Sequence, residues 1–384
     1  VSRPTAVVVG GIGKLPYAGI SLYYLHYILG LRDLGYRVHY VERQTGPLQA
    51  YDPSTDEMTN RPDYALRYLS ALEGRYGLAR SWSFIDLTGS CHGVGWRELR
   101  GVLDEADFLL TVADPTWFDE LERCGRRLFV DGDPMFTQVA LVNGSTSRAD
   151  APGHYDTLFS YGTRIGKDDC LVPSAGHRWL PTRPVVATAR WEHRPPPRGA
   201  PIVALMHWAA GGDIVHQGRV FGHKGREFDR IVELPSRRPG EYVLAAGGPG
   251  VPRQALARSG WRLVGPLSVT RGVEEYSRFI TEARADLGIA KHAYVASRSG
   301  WFSDRATCFL ASGRPVLHQD TGYTEWLSTD EGVLPFSDLD SLVEALERLD
   351  TDYTRHAHAA RRIAEQHFEA SLVIGEMLRA AGLR

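Results

Sequence analysis

Cysteine is scarce and scattered: Cys91, Cys124, Cys170 and Cys308 are the only four in 384 residues. None forms the close pair that a structural zinc site uses, and four in so long a chain make no disulfide framework. Buried, reduced thiols in a cytoplasmic protein are the expectation. Net charge is also missing: Lys+Arg total 44 against 46 for Asp+Glu, a formal balance of -2. No global field therefore draws the chain to nucleic acid or to an anionic membrane, and any anionic ligand must be held by a local cluster. No apolar run approaches a membrane span, and the opening VSRPTAVVVGGIGKLPYAG lacks a basic segment leading into a long apolar stretch. Neither a transmembrane helix nor a secretory signal is expected. What is present is an ordinary interior, 43% hydrophobic and 23% charged, which rules out a tail, fibre or scaffold and suits two large domains.

Apolar runs alternate with helical periodicity along most of the chain. Ala6 to Val9 enters the cluster Gly10, Gly11, Gly13, a helix pattern follows from Ile20 to Leu34, and Arg37 to Val41 alternates like a strand. Thr45 to Pro62 reads as a loop and Tyr64 to Tyr76 as a helix; short runs at 84–87, 108–112, 128–130 and 157–161 then read as strands, with helix-like stretches at 96–103 and 117–123. WEHRPPPRGA, from Trp191 to Ala200, stiffens the chain and bars helix and central strand, and the alternation begins again at Pro201. The expected fold class is α/β with two Rossmann-like doubly wound domains: residues 1–192, a linker at 193–200, residues 201–368, and a C-terminal helix over 369–384 that crosses back to the first domain.

Several residues carry chemistry. Gly11 and Gly13 lie between strand and helix, where backbone amides can receive an anion or form one wall of a cleft. Their spacing is not GxGxxG, so a dinucleotide oxidoreductase is disfavoured. His207 stands at the end of an apolar strand, where open α/β sheets bind ligands. Lys224, in GHKG, puts a point charge beside a helix start, a combination suited to a diphosphate and equally to a solvated loop. In RSGWFSDRATCFLASG, Ser303 or Asp304 is an N-cap and Arg305 falls in the first turn, opposing the helix dipole. A bound phosphate would explain that arginine, and Arg305→Ala is then expected to weaken binding with little effect on melting. Amides at Thr321, Gly322 and Tyr323 face the same cleft in this reading, with turn chemistry as the alternative. Two D-x-D spacings, Asp338 with Asp340 and Asp350 with Asp352, read as caps and turns rather than metal ligands.

These stretches resemble the GT-B superfamily of nucleotide-sugar glycosyltransferases. LGLRDLGYRVHYVE is similar to its first strand-helix-strand, GRVFGHKG to the basic element near the donor diphosphate, and SDRATCFLASGRPVLHQDTGYTEWL to the helix, strand and loop that hold the nucleotide sugar. The resemblance implies transfer of a sugar from a UDP- or TDP-type donor to an acceptor such as a small natural product, with no cofactor and no metal. It departs from the pattern at two positions, because Gly300 and Cys308 stand where retaining members carry glutamates. Ribose must then be read elsewhere, with Asp304 and Glu325 as candidates. Inverting members use a base in the N-terminal domain, for which Asp131 and Asp133 in VDGDP are the candidates, Asp133 also reading as a turn or cap residue. A non-catalytic sugar-nucleotide or glycan binding protein and a nucleotide-sugar epimerase are the competing readings. No nucleic-acid partner is expected, and a homodimer is left open.

Overall fold

The computed structural model describes residues 3–113, 116–144, 152–209 and 212–383. Two sheets organise it. In the first, seven strands run parallel: Thr5–Val9, Arg37–Arg43, Trp82–Ile85, Phe108–Val112, Arg127–Asp131, Thr157–Ser160 and Trp179–Pro181. Numbered along the chain, they lie side by side as 3-2-1-4-5-6-7, and Cys91–Gly93 adds an antiparallel edge to the third. The second sheet is wholly parallel, from Ile202–His207, Tyr242–Gly247, Arg262–Val264, Ala285–Gly288, Val316–Gln319 and Val333–Phe336, in the order 3-2-1-4-5-6. Both are doubly wound Rossmann sheets, each reversing direction beside its first strand. The Thr5–Val9 strand is buried at every position, as a strand covered by helices on both faces must be.

The covering helices follow from sequence spacing. Asp63–Tyr76 buries Ala65, Leu69, Leu72 and Tyr76, one face of a helix, and each such leucine stabilises the fold by about 1.5–3 kcal/mol. Asp338 and Asp352 cap the helices Leu339–Thr351 and Tyr353–Ile363, accepting from Ser341 N and Arg355 N. Asp340 pairs with Arg237, and Asp350 with Arg238 and Arg284.

After a π-helical turn at Ala364–Phe368 the chain returns to the first domain. Val186 N donates to Phe368 O at 2.8 Å, and Ala370 N donates to Val186 O at 3.0 Å. The helix Ala370–Ala380 then lies on Ala18–Asp33 so closely that a Cβ on Gly30 would come within 2.6 Å of the Ala370 methyl. His26, on the first of these helices, accepts from Ala187 N through Nδ1 and meets Cys308 Sγ through Nε2. Burial holds its pKa down to about 3, so it is a neutral packing residue between the domains.

Three segments differ from the sequence expectation. Where Thr45–Pro62 suggests a loop, Ala50–Asp52 and Glu57–Thr59 form a small hairpin anchored by Tyr51 N donating to Lys14 O at 2.8 Å. Ile214–His216 and Arg219–Phe221 form another, turned by Gln217 and Gly218 with φ of 49° and 75°. The helix-like 117–123 stretch is a short 3-10 turn at Asp119–Arg123.

Candidate active site

A cavity of about 610 Å³ lies between the domains at the carboxyl ends of the second sheet, where its strand order reverses. Ligands of open α/β sheets bind at such a place. Its two walls differ in character. The C-terminal wall brings His207, Lys224, Arg253, Ser303, Asp304 and Arg305 together. The N-terminal wall offers Tyr17, Gly19, Ile20, Tyr51 and Asp56, with no cation among them.

His207 ends its strand with its ring over Gly248, whose φ is 89° and where a Cβ would lie 2.3 Å from the imidazole. Only glycine permits that approach. Lys224 opens the helix Lys224–Phe228, and its ammonium makes no hydrogen bond or ion pair among the described residues. Burial, with the like charges of Arg305 and Lys291, lowers its pKa to about 7. The carboxylates of Asp304 and Asp286 offset the shift only in part, so the ammonium has no carboxylate in direct contact and favours an anion placed beside it.

Ser303 begins the helix Asp304–Ala311 from an extended conformation, and its hydroxyl makes no capping bond. The Asp304 carboxyl faces the cavity; burial raises its pKa, opposed by Arg305 and Lys224. Arg305 departs from the sequence reading. Its Nε and Nη2 donate to the two oxygens of buried Asp286 at 3.2 and 3.1 Å, and Nη1 donates to Leu205 O at 2.6 Å. Burial by itself would lower the Arg305 pKa, but Asp286 outweighs it and the guanidinium stays charged. The reason for an arginine in a first helical turn is therefore an internal ion pair that braces the cavity floor.

Other expected residues lie elsewhere. Gly11 and Gly13 do not line the cavity. Gly13 N donates to Glu42 Oε2 at 2.8 Å, Lys14 N donates to Glu42 Oε1, and Ile12 N donates to Tyr40 Oη at 2.7 Å. The anion in this glycine loop is the protein's own Glu42, whose pKa burial lifts to about 7. Asp131 is buried and accepts from Thr137 Oγ1, Gln138 Nε2, Ser160 Oγ and Asp133 N at 2.6–3.1 Å. Such a saturated carboxylate fixes a turn. Asp133 accepts from Lys291 Nζ at 2.6 Å and from the Tyr294 hydroxyl, tying the two domains together.

The loop after Val316–Gln319 also joins the domains instead of lining the cavity. Thr321 Oγ1 donates to Trp301 O, Tyr323 Oη donates to His318 O at 2.9 Å, and both side chains are buried. Gly322 adopts φ 94° against the Arg164 side chain. Glu325 pairs with Arg164 at 2.9 Å and Arg298 at 3.3 Å. Gly300, with φ 79°, would carry a Cβ 2.2 Å from Thr163 Oγ1, so the close approach of this N-terminal segment accounts for glycine there. The sequence reading missed Arg253, Tyr51 and Asp56. Arg253 follows the glycine turn after the Tyr242–Gly247 strand, a recognisable signal, while the other two sit on the unexpected hairpin.

Residues 236–373 match the family model described as glycosyl transferase-like. No curated protein matches the chain in sequence. Among solved structures, an alpha-glucosyltransferase in complex with UDP and a 13-mer DNA containing an HMU base superposes with a TM-score of 0.63 at 10% identity, covering 99% of this chain and 100% of that one. HepE of Anabaena in complex with UDP and glucose gives 0.57 at 12% identity, covering 98% and 100%. The fold is GT-B, two Rossmann-like domains facing a common cleft, and the similarity to the glycosyl transferase-like family lies within residues 236–373.

Proposed function

We propose that the chain is a glycosyltransferase that moves a sugar from a nucleoside diphosphate sugar to an acceptor in the interdomain cavity. Lys224 carries this reading: it lines the cavity at the switch point of a Rossmann sheet and makes no direct ion pair among the described residues, with Asp304 and Asp286 acting on it only at longer range. In sugar transfer the bond from C1 to the phosphate oxygen breaks and negative charge grows on the departing diphosphate. A fixed cation there gains most as the charge develops. Arg253 adds a second charge on the same wall. Arg305 holds its strand and helix in register through Asp286 and Leu205.

Asp304 accepts hydrogen bonds from donor hydroxyls, a role for which Glu325, paired to two arginines outside the cavity, is poorly placed. Contacts of 163–171 with 297–300 hold the domains together and limit water at the reacting carbon. UDP, the nucleotide bound in both solved structures above, is the first donor nucleotide to test, and TDP the second. The reaction runs without a metal in this account, because Lys224 and Arg253 meet the diphosphate charge. Among the described residues no helix is long and apolar enough to cross a membrane.

Calorimetric titration with UDP, TDP, GDP and ADP, followed by turnover of the matching nucleotide sugar in EDTA, tests the proposal. One diphosphate should bind and its sugar should be consumed. Absence of binding by all four would overturn it.

A further inference from the structure

The two walls of the cavity are chemically unlike, and the difference points to the acceptor. This inference rests on the donor reading just given. The C-terminal wall holds the cations, whereas the N-terminal wall presents two stacked tyrosines and one carboxylate. Tyr17, at the start of the Ala18–Asp33 helix, stacks on Tyr51 with ring centroids 4.9 Å apart and planes inclined at 25°. The Tyr51 hydroxyl donates to Asp56 Oδ1 at 2.6 Å, which orients the carboxylate and leaves Oδ2 able to accept. Ile20 and Gly19 complete an apolar floor beside them.

We infer that Tyr17, Tyr51 and Asp56 form the acceptor subsite, and that the acceptor is an uncharged saccharide. A sugar ring has an apolar C–H face and a rim of hydroxyl donors. The aromatic pair matches the first and the carboxylate the second. A flat phenolic acceptor would use the ring stack and leave Asp56 without a hydrogen-bond donor beyond its own hydroxyl. Nucleic acid fits worse. The Ala50–Thr59 hairpin that supplies two of the three residues carries Asp52, Asp56 and Glu57 and no lysine or arginine; Arg61 and Arg67 act on Asp52, but the subsite itself supplies none of the cations that a phosphate backbone needs. The DNA seen with the structurally similar alpha-glucosyltransferase is therefore not the acceptor expected here.

The test measures UDP release from UDP-glucose with three kinds of acceptor: a panel of neutral methyl glycosides and disaccharides, a phenol, and a duplex carrying a hydroxymethylated pyrimidine. Unmodified protein, Tyr17→Ala and Asp56→Asn are compared, and UDP affinity is measured separately by calorimetry. The saccharide panel should contain an accelerator, and both substitutions should raise its KM about tenfold, the equivalent of ~1.4 kcal/mol, while the UDP Kd changes less than about twofold. Tyr51→Phe keeps the ring stack and removes the hydroxyl that orients Asp56, so it should raise KM by a smaller factor. Acceleration only by the phenol or the duplex, no acceleration by any saccharide, or an unchanged KM in both variants would overturn the assignment. Failure of the unmodified protein to bind UDP or any other diphosphate would overturn the donor reading beneath it, and calorimetry distinguishes that result from the others.

Discussion

Replacing Lys224 by methionine removes the unpaired charge while keeping an unbranched, apolar stem in the cavity. In the unliganded protein the ammonium titrates at about 7 instead of 10.5. That depression corresponds to at most roughly 5 kcal/mol against the charged form, a ceiling that water in the open cavity reduces, because the side chain is only partly buried. A diphosphate placed beside it favours the charged form and returns the pKa toward its ordinary value. Binding should therefore take up about half a proton near pH 7 and close to one by about pH 8 to 9, and the Kd should weaken with pH at a slope that approaches tenfold per unit above about pH 8. UDP-glucose is the suitable ligand, since its diphosphate diester keeps constant charge there. Glu42 titrates in the same range but lies outside the cavity, and the Lys224→Met comparison separates the two. Calorimetry in buffers of different ionisation enthalpy reads the proton directly. The variant should show a flat pH profile, no proton uptake and, near pH 6.5, a loss of about 1.5–3 kcal/mol. A flat profile in the unmodified protein would mean that Lys224 does not gain a proton on binding.

Arg305→Ala strips buried Asp286 of its ion pair, so it should cost about 3–5 kcal/mol and lower the melting temperature markedly, contrary to the binding-only effect expected from sequence; thermal melting checks it. Gly248→Ala forces a methyl into the His207 ring and a left-handed backbone onto alanine, so UDP affinity should fall, as calorimetry would detect. Glu42 is protonated more readily in the folded chain, at about 7 against 4.5. Its stabilising contribution is therefore full below about pH 4.5 and lost as pH rises through about 7. The stability difference between the unmodified protein and Glu42→Gln, measured by urea unfolding, should shift by up to about 3 kcal/mol over that window. A constant difference would mean that Glu42 does not titrate there.

The two-domain α/β fold was legible because its strands are short apolar runs separated by helical periodicity, and local signals fixed several elements closely. The helix Asp304–Ala311 starts directly after Ser303, one of the two N-cap candidates, although that hydroxyl makes no capping bond. The hairpins at 50–59 and 214–221 were not legible: their strands are only three residues long, too short for an alternating pattern to stand out. With the first went Tyr51 and Asp56. The cavity's C-terminal wall could be anticipated from His207, Lys224 and Asp304, each at a strand or helix end. Partners distant in sequence could not. Glu42 fills the glycine loop only because Val9 registers beside Val41 in a parallel pair, Arg305 meets Asp286 across a helix-strand contact, and Asp133 meets Lys291 from the other domain. Charge and spacing along the chain carry no record of such pairings, so an arginine braced by a carboxylate looks the same as one awaiting a phosphate.

In the proposed donor complex the interdomain cavity holds a nucleoside diphosphate against Lys224. A crystal structure of the protein with UDP tests it most directly. The diphosphate should lie within hydrogen-bond distance of Lys224 Nζ, with the nucleoside on the C-terminal wall and the Tyr17–Tyr51 face left for an acceptor. UDP bound outside this cavity, or with its phosphates turned to the N-terminal wall, would contradict it.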